Sequence, residues 1–99
     1  MKTRYFILLL SILFTACQSD GDKREATDFF LRGNTKFKEK EYHESIKWYT
    51  EAVQKQAQFP DAYYNRGLVY QSLEKNEEAL ADLSILQRYR ADKRPSFYS

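Results

Sequence analysis

The chain repeats itself with a period of 34 residues over most of its length. A shift by 34 positions places Arg32-Gly33 on Arg66-Gly67 and keeps the apolar and small positions in register. The pairs of similar residues are Phe29/Tyr63, Phe30/Tyr64, Ser45/Ala79, Ile46/Leu80, Tyr49/Leu83 and Ala52/Leu86. A unit of this length cannot bury its apolar face alone, so neighbouring units must stack on each other. The repeat therefore predicts two copies of one packing unit.

Within each unit, the spacing of apolar residues predicts helices. Apolar and small residues recur three and four positions apart, which places them on one helix face. These stripes are Ser45, Ile46, Tyr49, Ala52 and Val53 in the first unit, and Ala79, Leu80, Leu83 and Leu86 in the second. Pro60 suits the first turn of a third helix, and Asn76 suits the N-terminus of a fourth. We predict an all-α fold of two helix-turn-helix units, with about four helices.

Charge and motif content exclude several function classes. The formal charge of +2 comes entirely from Lys2 and Arg4, so the rest of the chain is neutral. A protein that binds nucleic acid by displacing counterions needs a net basic face, so we expect no nucleic-acid partner. The single cysteine excludes a disulfide framework. Since metal-ligand spacings, nucleophile elbows and phosphate-binding glycine loops are missing, we predict no catalysis, no metal, no cofactor and no small-molecule substrate.

Residues 1–16 are predicted to be a signal peptide. Two basic residues, Lys2 and Arg4, precede an apolar run from Tyr5 to Phe14 that only Ser11 interrupts. Ten helical residues span roughly 15 Å, about half of a bilayer core, so the run is too short for a transmembrane helix. A basic start, a short apolar run and small residues after it are typical of a secretory signal.

The segment Phe14-Thr15-Ala16-Cys17 resembles the lipobox of bacterial lipoproteins. The resemblance implies cleavage before Cys17, acylation of that cysteine (palmitate) and anchoring to a membrane without spanning it. Residues 17–24 are then the lipidated cysteine and a polar tether. Gln18 favours the outer membrane by resemblance to the enterobacterial sorting rule, and the acidic residues after it resemble surface-export signals of Bacteroidota lipoproteins. The membrane face stays open, and the alternative is a secreted protein with a buried cysteine.

The repeat unit resembles the tetratricopeptide repeat. The segments that carry the resemblance are Gly33-Asn34-Thr35-Lys36-Phe37-Lys38, Tyr42, Ser45-Ile46, Tyr49-Thr50-Glu51-Ala52, Tyr63-Tyr64-Asn65-Arg66-Gly67, Tyr70, Leu73 and Glu78-Ala79-Leu80-Ala81-Asp82-Leu83. It implies a short α-solenoid over residues 25–94, with repeats at about 26–59 and 60–93 and a tail at 95–99. Glycine inside a helix costs about 1 kcal/mol, so Gly33 and Gly67 require a close approach of the second helices. The predicted packing residues are Gly33, Tyr49, Ala52, Gly67, Tyr70, Ala79 and Leu83.

The same resemblance implies a concave groove formed by the first helix of each unit. Aromatic and amide side chains on a fixed helical scaffold suit an extended peptide or a partner helix. Asn34 and Asn65, 31 residues apart, match two asparagines that hold a peptide carboxylate in co-chaperone repeats, but Phe30 replaces a clamp lysine. Structural or general groove asparagines are the alternative. The predicted groove residues are Phe30, Asn34, Phe37, Lys38, Tyr64, Asn65, Leu68 and Gln71.

These features predict a small lipoprotein of the bacterial cell envelope that acts as a protein-binding adaptor or assembly accessory. Its partner would be a peptide or helix of another envelope protein. The alternative is a structural subunit that associates with a second copy or belongs to a stable envelope complex. Repeat arrays usually need at least three units, so we expect the last helix to leave Ile85, Leu86 or Tyr89 exposed for such a contact.

Overall fold

The computed structural model describes residues 20–93, which form four helices in two stacked hairpins. Helix α1 spans Asp20–Lys38, α2 spans Tyr42–Lys55, α3 spans Pro60–Ser72 and α4 spans Asn76–Lys93. Helix α1 packs against α2, α3 packs against α4, and α2 joins the two hairpins by packing on α3. The predicted all-α class and helix count are confirmed for this part of the chain. None of these helices combines the length and apolarity needed to cross a bilayer.

The two hairpins share the same turn as well as the same helix pattern. Lys40 and Glu74, 34 residues apart, both have a positive φ, 62° and 61°. The next residue in each turn bonds back to the last turn of the helix, Glu41 N to Lys36 O at 2.9 Å and Lys75 N to Tyr70 O at 2.8 Å. This pattern is the Schellman ending of a helix, which usually carries glycine at the left-handed position. Lysine and glutamate adopt it here at a cost of about 1–2 kcal/mol each.

Helix α1 begins earlier than the sequence analysis placed it. Asp20 starts the helix, so α1 begins inside the predicted tether of residues 17–24 and six residues before the predicted start of the first repeat. The first turns of α1 form ion pairs with α2, because Lys55 Nζ lies 3.2 Å from the Glu25 carboxylate and 4.0 Å from that of Asp22. Cys17, the signal peptide and the tail lie outside the described residues.

The core between the helices is built mainly from small side chains. The buried apolar residues are Ala26, Tyr49, Ala52, Ala62, Val69 and Ala79. A Cβ atom placed on Gly33 would lie 2.6 Å from the Tyr49 ring, and one on Gly67 would lie 3.3 Å from Leu83. Both glycines therefore face the second helix of their own unit at the same position of the repeat. Among residues 20–93, Tyr49 carries the one fully buried aromatic ring, and it is the ring that Gly33 faces.

Leu80 does not belong to the buried stripe in which the sequence analysis placed it. The side chain is 69% exposed, whereas the preceding Ala79 is buried. One residue turns a helix by about 100°, so Leu80 faces away from α3, the one described helix that α4 contacts. Its counterpart Ile46 is half-buried on α2, which has α3 as a second neighbour. Leu86 is half-buried, and Ile85 and Tyr89 are each 37% exposed.

Candidate functional site

An open depression of about 610 Å³ lies on the outward face of α1, within the predicted groove. Asn34, Phe37 and Lys38 line it, and all three were predicted to face the groove. Leu31 and Thr35 line it too, and the sequence analysis did not include them. Leu31 is 54% exposed, so the lining combines apolar surface with an amide, a hydroxyl and a lysine. The signal in the sequence is the position of Leu31, three residues before Asn34 and four before Thr35, which places all three on the same helix face.

Asn34 and Asn65 meet between the two hairpins. The Asn65 amide nitrogen donates to Asn34 Oδ1 at 2.9 Å, and the Tyr49 hydroxyl donates to the same oxygen. Within residues 20–93, these hydrogen bonds occupy Asn34 Oδ1 and one N–H of Asn65, and they leave the Asn34 amide nitrogen as a donor group and the Asn65 carbonyl oxygen as an acceptor for a ligand or water. Burial raises the pKa of Tyr49 above its ordinary value, against polar contacts with Asn65 and Ser45 that lower it. The hydroxyl therefore stays protonated and acts as a donor.

Phe30 lies at the joint between the units, away from the lining of the depression. Its ring centroid is 5.0 Å from Phe59 and 5.8 Å from Tyr49. Offset aromatic pairs at these distances are worth about 0.5–1.5 kcal/mol beyond the burial of their surface. Phe30 therefore supports the position of Tyr49, whose hydroxyl reaches the asparagine pair.

The predicted groove residues of α3 are spread along that helix. Tyr64 is 42% exposed, Gln71 is exposed and Leu68 is half-buried. Asn65 is the α3 residue that bonds to α1, through Asn34. Tyr64, Leu68 and Gln71 do not line the depression on α1. The structure thus brings Asn34, Phe37 and Lys38 together, joins Asn65 to them through Asn34, and leaves the other three on α3 outside the lining of the depression.

A buried ion pair fixes α3 against its neighbours, and the sequence analysis did not find it. The Arg66 guanidinium donates to both carboxylate oxygens of Asp82 on α4, at 2.7 and 2.8 Å, and to Thr50 Oγ1 on α2 at 3.2 Å. Asp82 is 3% exposed. The hydrogen bond to Asp82 raises the pKa of Arg66 above its ordinary value, although burial opposes the shift. One side chain therefore joins three helices and holds the groove helix in place.

The repeat-packing residues occupy the interior of both units. Gly33, Tyr49, Ala52, Gly67 and Ala79 are buried, and Tyr70 and Leu83 are half-buried. Ser45, also buried, donates to Gly33 O at 2.9 Å. This bond ties the two helices of the first unit at their closest approach.

The part of the chain in residues 20–93 holds no cluster of ligating side chains that suits a metal ion.

Two lysines lie near the groove, and they differ in their surroundings. Lys36 lies within 4 Å of Glu39, Glu41 and Glu44. The hydrogen bond and charge of Glu39 raise the pKa of Lys36. Lys38 is the cation at the depression itself. Apolar surface with amide groups and one lysine can bind an extended peptide, with the amides meeting its backbone.

A family model described as "TPR repeat", the tetratricopeptide repeat, matches residues 33–74. The fold is a short tetratricopeptide-type solenoid. The matched segment runs from Gly33 through α2 and α3 to the positive-φ residue Glu74, so it includes the asparagine pair and the joint between the units. Tetratricopeptide repeats typically serve protein–protein interaction rather than catalysis. The apolar and amide side chains that line the depression suit such an interaction.

Two curated proteins are similar to part of the chain. "Protein STIP1 homolog" of Dictyostelium discoideum is 34% identical over 59 residues, which is 60% of this chain and 10% of that protein. "Hsp70-Hsp90 organizing protein 2" of Arabidopsis thaliana is 39% identical over 51 residues, 52% of this chain and 9% of that protein. The chain thus spans about a tenth of the length of these relatives. No solved structure matches it significantly.

Proposed function

We propose that the chain is a lipid-anchored adaptor of the bacterial envelope, whose groove binds an extended peptide or helix of another envelope protein. The observation that carries the proposal is the depression on α1, where an exposed leucine lies beside the paired asparagines. Exposed apolar surface next to fixed polar groups is the usual composition of a peptide-binding site. Anchoring would add to the affinity, because confinement to one membrane raises the local concentration of an envelope partner.

The side chains of the depression specify what the peptide should offer. Leu31 and Phe37 favour an apolar side chain, and the Asn34 amide nitrogen and the Asn65 carbonyl oxygen can bond to the backbone of an extended peptide. Lys38 favours an acidic residue nearby. Phe30 stands in place of a clamp lysine and packs among aromatic rings, so Lys38 is the one cation among the described residues that line the depression, and charge-assisted bonds to a carboxylate are correspondingly few. These features support recognition of a backbone segment more than capture of a terminal carboxylate.

The similar proteins support an adaptor. One of them is named as an organizing protein for Hsp70 and Hsp90. The part of this chain that matches the family model contains both asparagines and both glycines. For this chain we infer the same general role, in which one protein holds another.

Groove binding is tested by photo-crosslinking in the native organism. With a benzophenone amino acid at Thr35, we expect a discrete crosslinked partner, and the same probe at Gln54, an exposed position of α2, should give none. Leu31→Glu should lower the yield from Thr35 about tenfold, because burial of a leucine is worth about 1.5–3 kcal/mol. Equal products from Thr35 and Gln54, or a yield that Leu31→Glu leaves unchanged, would contradict the proposed groove.

The anchor is tested separately by Cys17→Ser in the full chain. We expect the variant to leave the membrane fraction and to lose the mass of its acyl chains, because the thiol that carries the diacyl group is gone. Ser19→Ala is the matched control and should stay in the membrane fraction. The wild-type protein should be found in the outer-membrane fraction of a density gradient. Retention of Cys17→Ser in the membrane would show that lipidation is not the anchor.

A further inference from the structure

The joint between the two units has two sides, and each side has a counterpart on the same chain on which no further described helix packs. At the joint, Arg66 of α3 donates to Thr50 of α2 at 3.2 Å. A shift of 34 positions along the sequence places Thr50 on Ser84 and Ile46 on Leu80, and both of the latter lie on α4. A shift of 34 positions in the other direction places Arg66 on Arg32 and Tyr63 on Phe29, and both of the latter lie on α1. We call Leu80 and Ser84 the tail face, and Phe29, Arg32 and Trp48 the head face.

The tail face lacks the cover that its counterpart has. Ile46 is half-buried and Thr50 accepts a hydrogen bond from the next unit. Leu80, in the position of Ile46, is 69% exposed, and α4 contacts no described helix except α3. The Ser84 hydroxyl donates to Leu80 O at 2.7 Å, which leaves its lone pairs able to accept from a donor. The tail face therefore presents an exposed leucine and a hydroxyl acceptor at the repeat positions that Ile46 and Thr50 hold on α2.

The head face presents the matching donor. Arg66 lies 5.5 Å from the Tyr63 ring. Arg32, in the same position of the first unit, lies 5.0 Å from the Trp48 ring, which stacks on Phe29 at 5.7 Å. Arg32 is exposed, and within residues 20–93 it has no ion-pair partner, because Trp48 stands where the second unit has Asp82. Its guanidinium is thus held against an aromatic surface with donors facing solvent.

We propose that the chain associates head to tail, the head face of one copy packing on the tail face of a second copy as a continuation of the solenoid. The joint inside the chain is the established interface that this contact continues. Arg32 of one copy donates to Ser84 of the next, as Arg66 donates to Thr50, and Leu80 packs where Ile46 packs. The contact uses two different surfaces, so it is heterologous and can add further copies. It lies outside the depression on α1, so it stands independently of peptide binding in the groove.

A mixing experiment tests the geometry. The full chain is followed by sedimentation equilibrium in density-matched detergent, at concentrations up to about 0.1 mM. Wild type should form dimers and longer species. Leu80→Glu, which disables the tail, and Arg32→Glu, which disables the head, should each be monomeric. Their equimolar mixture should form a dimer and nothing larger, because one intact head then meets one intact tail.

The control variants distinguish the head-to-tail contact from groove binding and from loss of folding. Leu31→Glu, a matched change at the exposed leucine of the groove, should leave association at wild-type strength while it weakens the groove crosslink. Circular dichroism checks that each variant keeps its helices, and Ser84→Lys and Arg32→Ser replace any variant that does not. A wild type that stays monomeric overturns the proposal, since the tail face would then serve a different partner or none. Dimers of Arg32→Glu alone also overturn it, because they would show α4 pairing with itself.

Discussion

Replacement of Asp82 by alanine is expected to lower the free energy of unfolding by about 3 kcal/mol. Removal of one partner from a buried, hydrogen-bonded ion pair strands the other charge, which usually costs about 3–5 kcal/mol. The Arg66 side chain keeps 16% of its surface exposed, so the lower end of that range applies. Urea denaturation of the full chain, followed by far-ultraviolet circular dichroism, measures the change as a shift of the midpoint.

Two further variants show whether the stranded charge of Arg66 causes the loss of stability in Asp82→Ala. Glu78→Ala removes an exposed carboxylate from the same helix and should change stability by no more than about 0.5 kcal/mol. The double replacement Arg66→Met with Asp82→Leu removes both charges and should recover much of the loss, because no charge is then left buried. A loss in Asp82→Ala no larger than that in Glu78→Ala would mean that the pair does not hold the three helices together.

Gly33→Ala is expected to cost about 1–3 kcal/mol, although alanine is the better helix former. The added methyl carbon would lie 2.6 Å from two ring carbons of Tyr49, closer than carbon atoms approach in folded proteins. The Tyr49 ring is fully buried and its hydroxyl bonds to Asn34, so it cannot move aside without breaking that bond. Overpacking of this kind typically costs about 1–3 kcal/mol, and thermal or urea unfolding measures it.

The second unit supplies the matched control for this change. Gly67→Ala brings its methyl carbon to 3.3 Å from the branch carbon and a terminal methyl of Leu83. A leucine side chain can shift by a few tenths of an ångström, and the gain in helix propensity is about 1 kcal/mol, so we expect a net effect near zero. Tyr49→Leu in the Gly33→Ala background should recover part of the stability by reproducing the second unit. Equal losses at the two glycines would show that the ring contact does not decide the effect.

The helices were predictable because the repeat encodes packing twice. Each stripe of apolar residues has a copy 34 positions away, so an accidental periodicity in one unit would not recur in the other. The turns were less accessible from sequence, because Lys40 and Glu74 take a backbone conformation that usually signals glycine. Leu80 was misplaced because its counterpart Ile46 lies on a helix with two neighbours, α1 and α3, whereas α4 contacts only α3 among the described helices. The repeat pattern alone does not show this difference.

The candidate site was partly predictable for a related reason. Asn34 and Asn65 meet, as their match to the two asparagines of co-chaperone repeats implies. The Arg66–Asp82 pair was missed because charged residues are ordinarily solvated, and sequence alone does not distinguish a buried carboxylate from an exposed one. Leu31 was missed although it shares a helix face with Asn34 and Thr35, because the apolar stripes were assigned to the core and not to the groove.

The bond between Asn34 and Asn65 also affects the entropy of ligand binding. Side chains that become ordered only when a ligand arrives cost about 0.5–1.5 kcal/mol each. The two amides are already ordered by each other and by Tyr49, so folding has met that cost before any partner approaches. The groove is therefore preorganised at its centre, and differences in affinity between partners should come from Leu31 and Lys38, whose exposed side chains are still free to adjust.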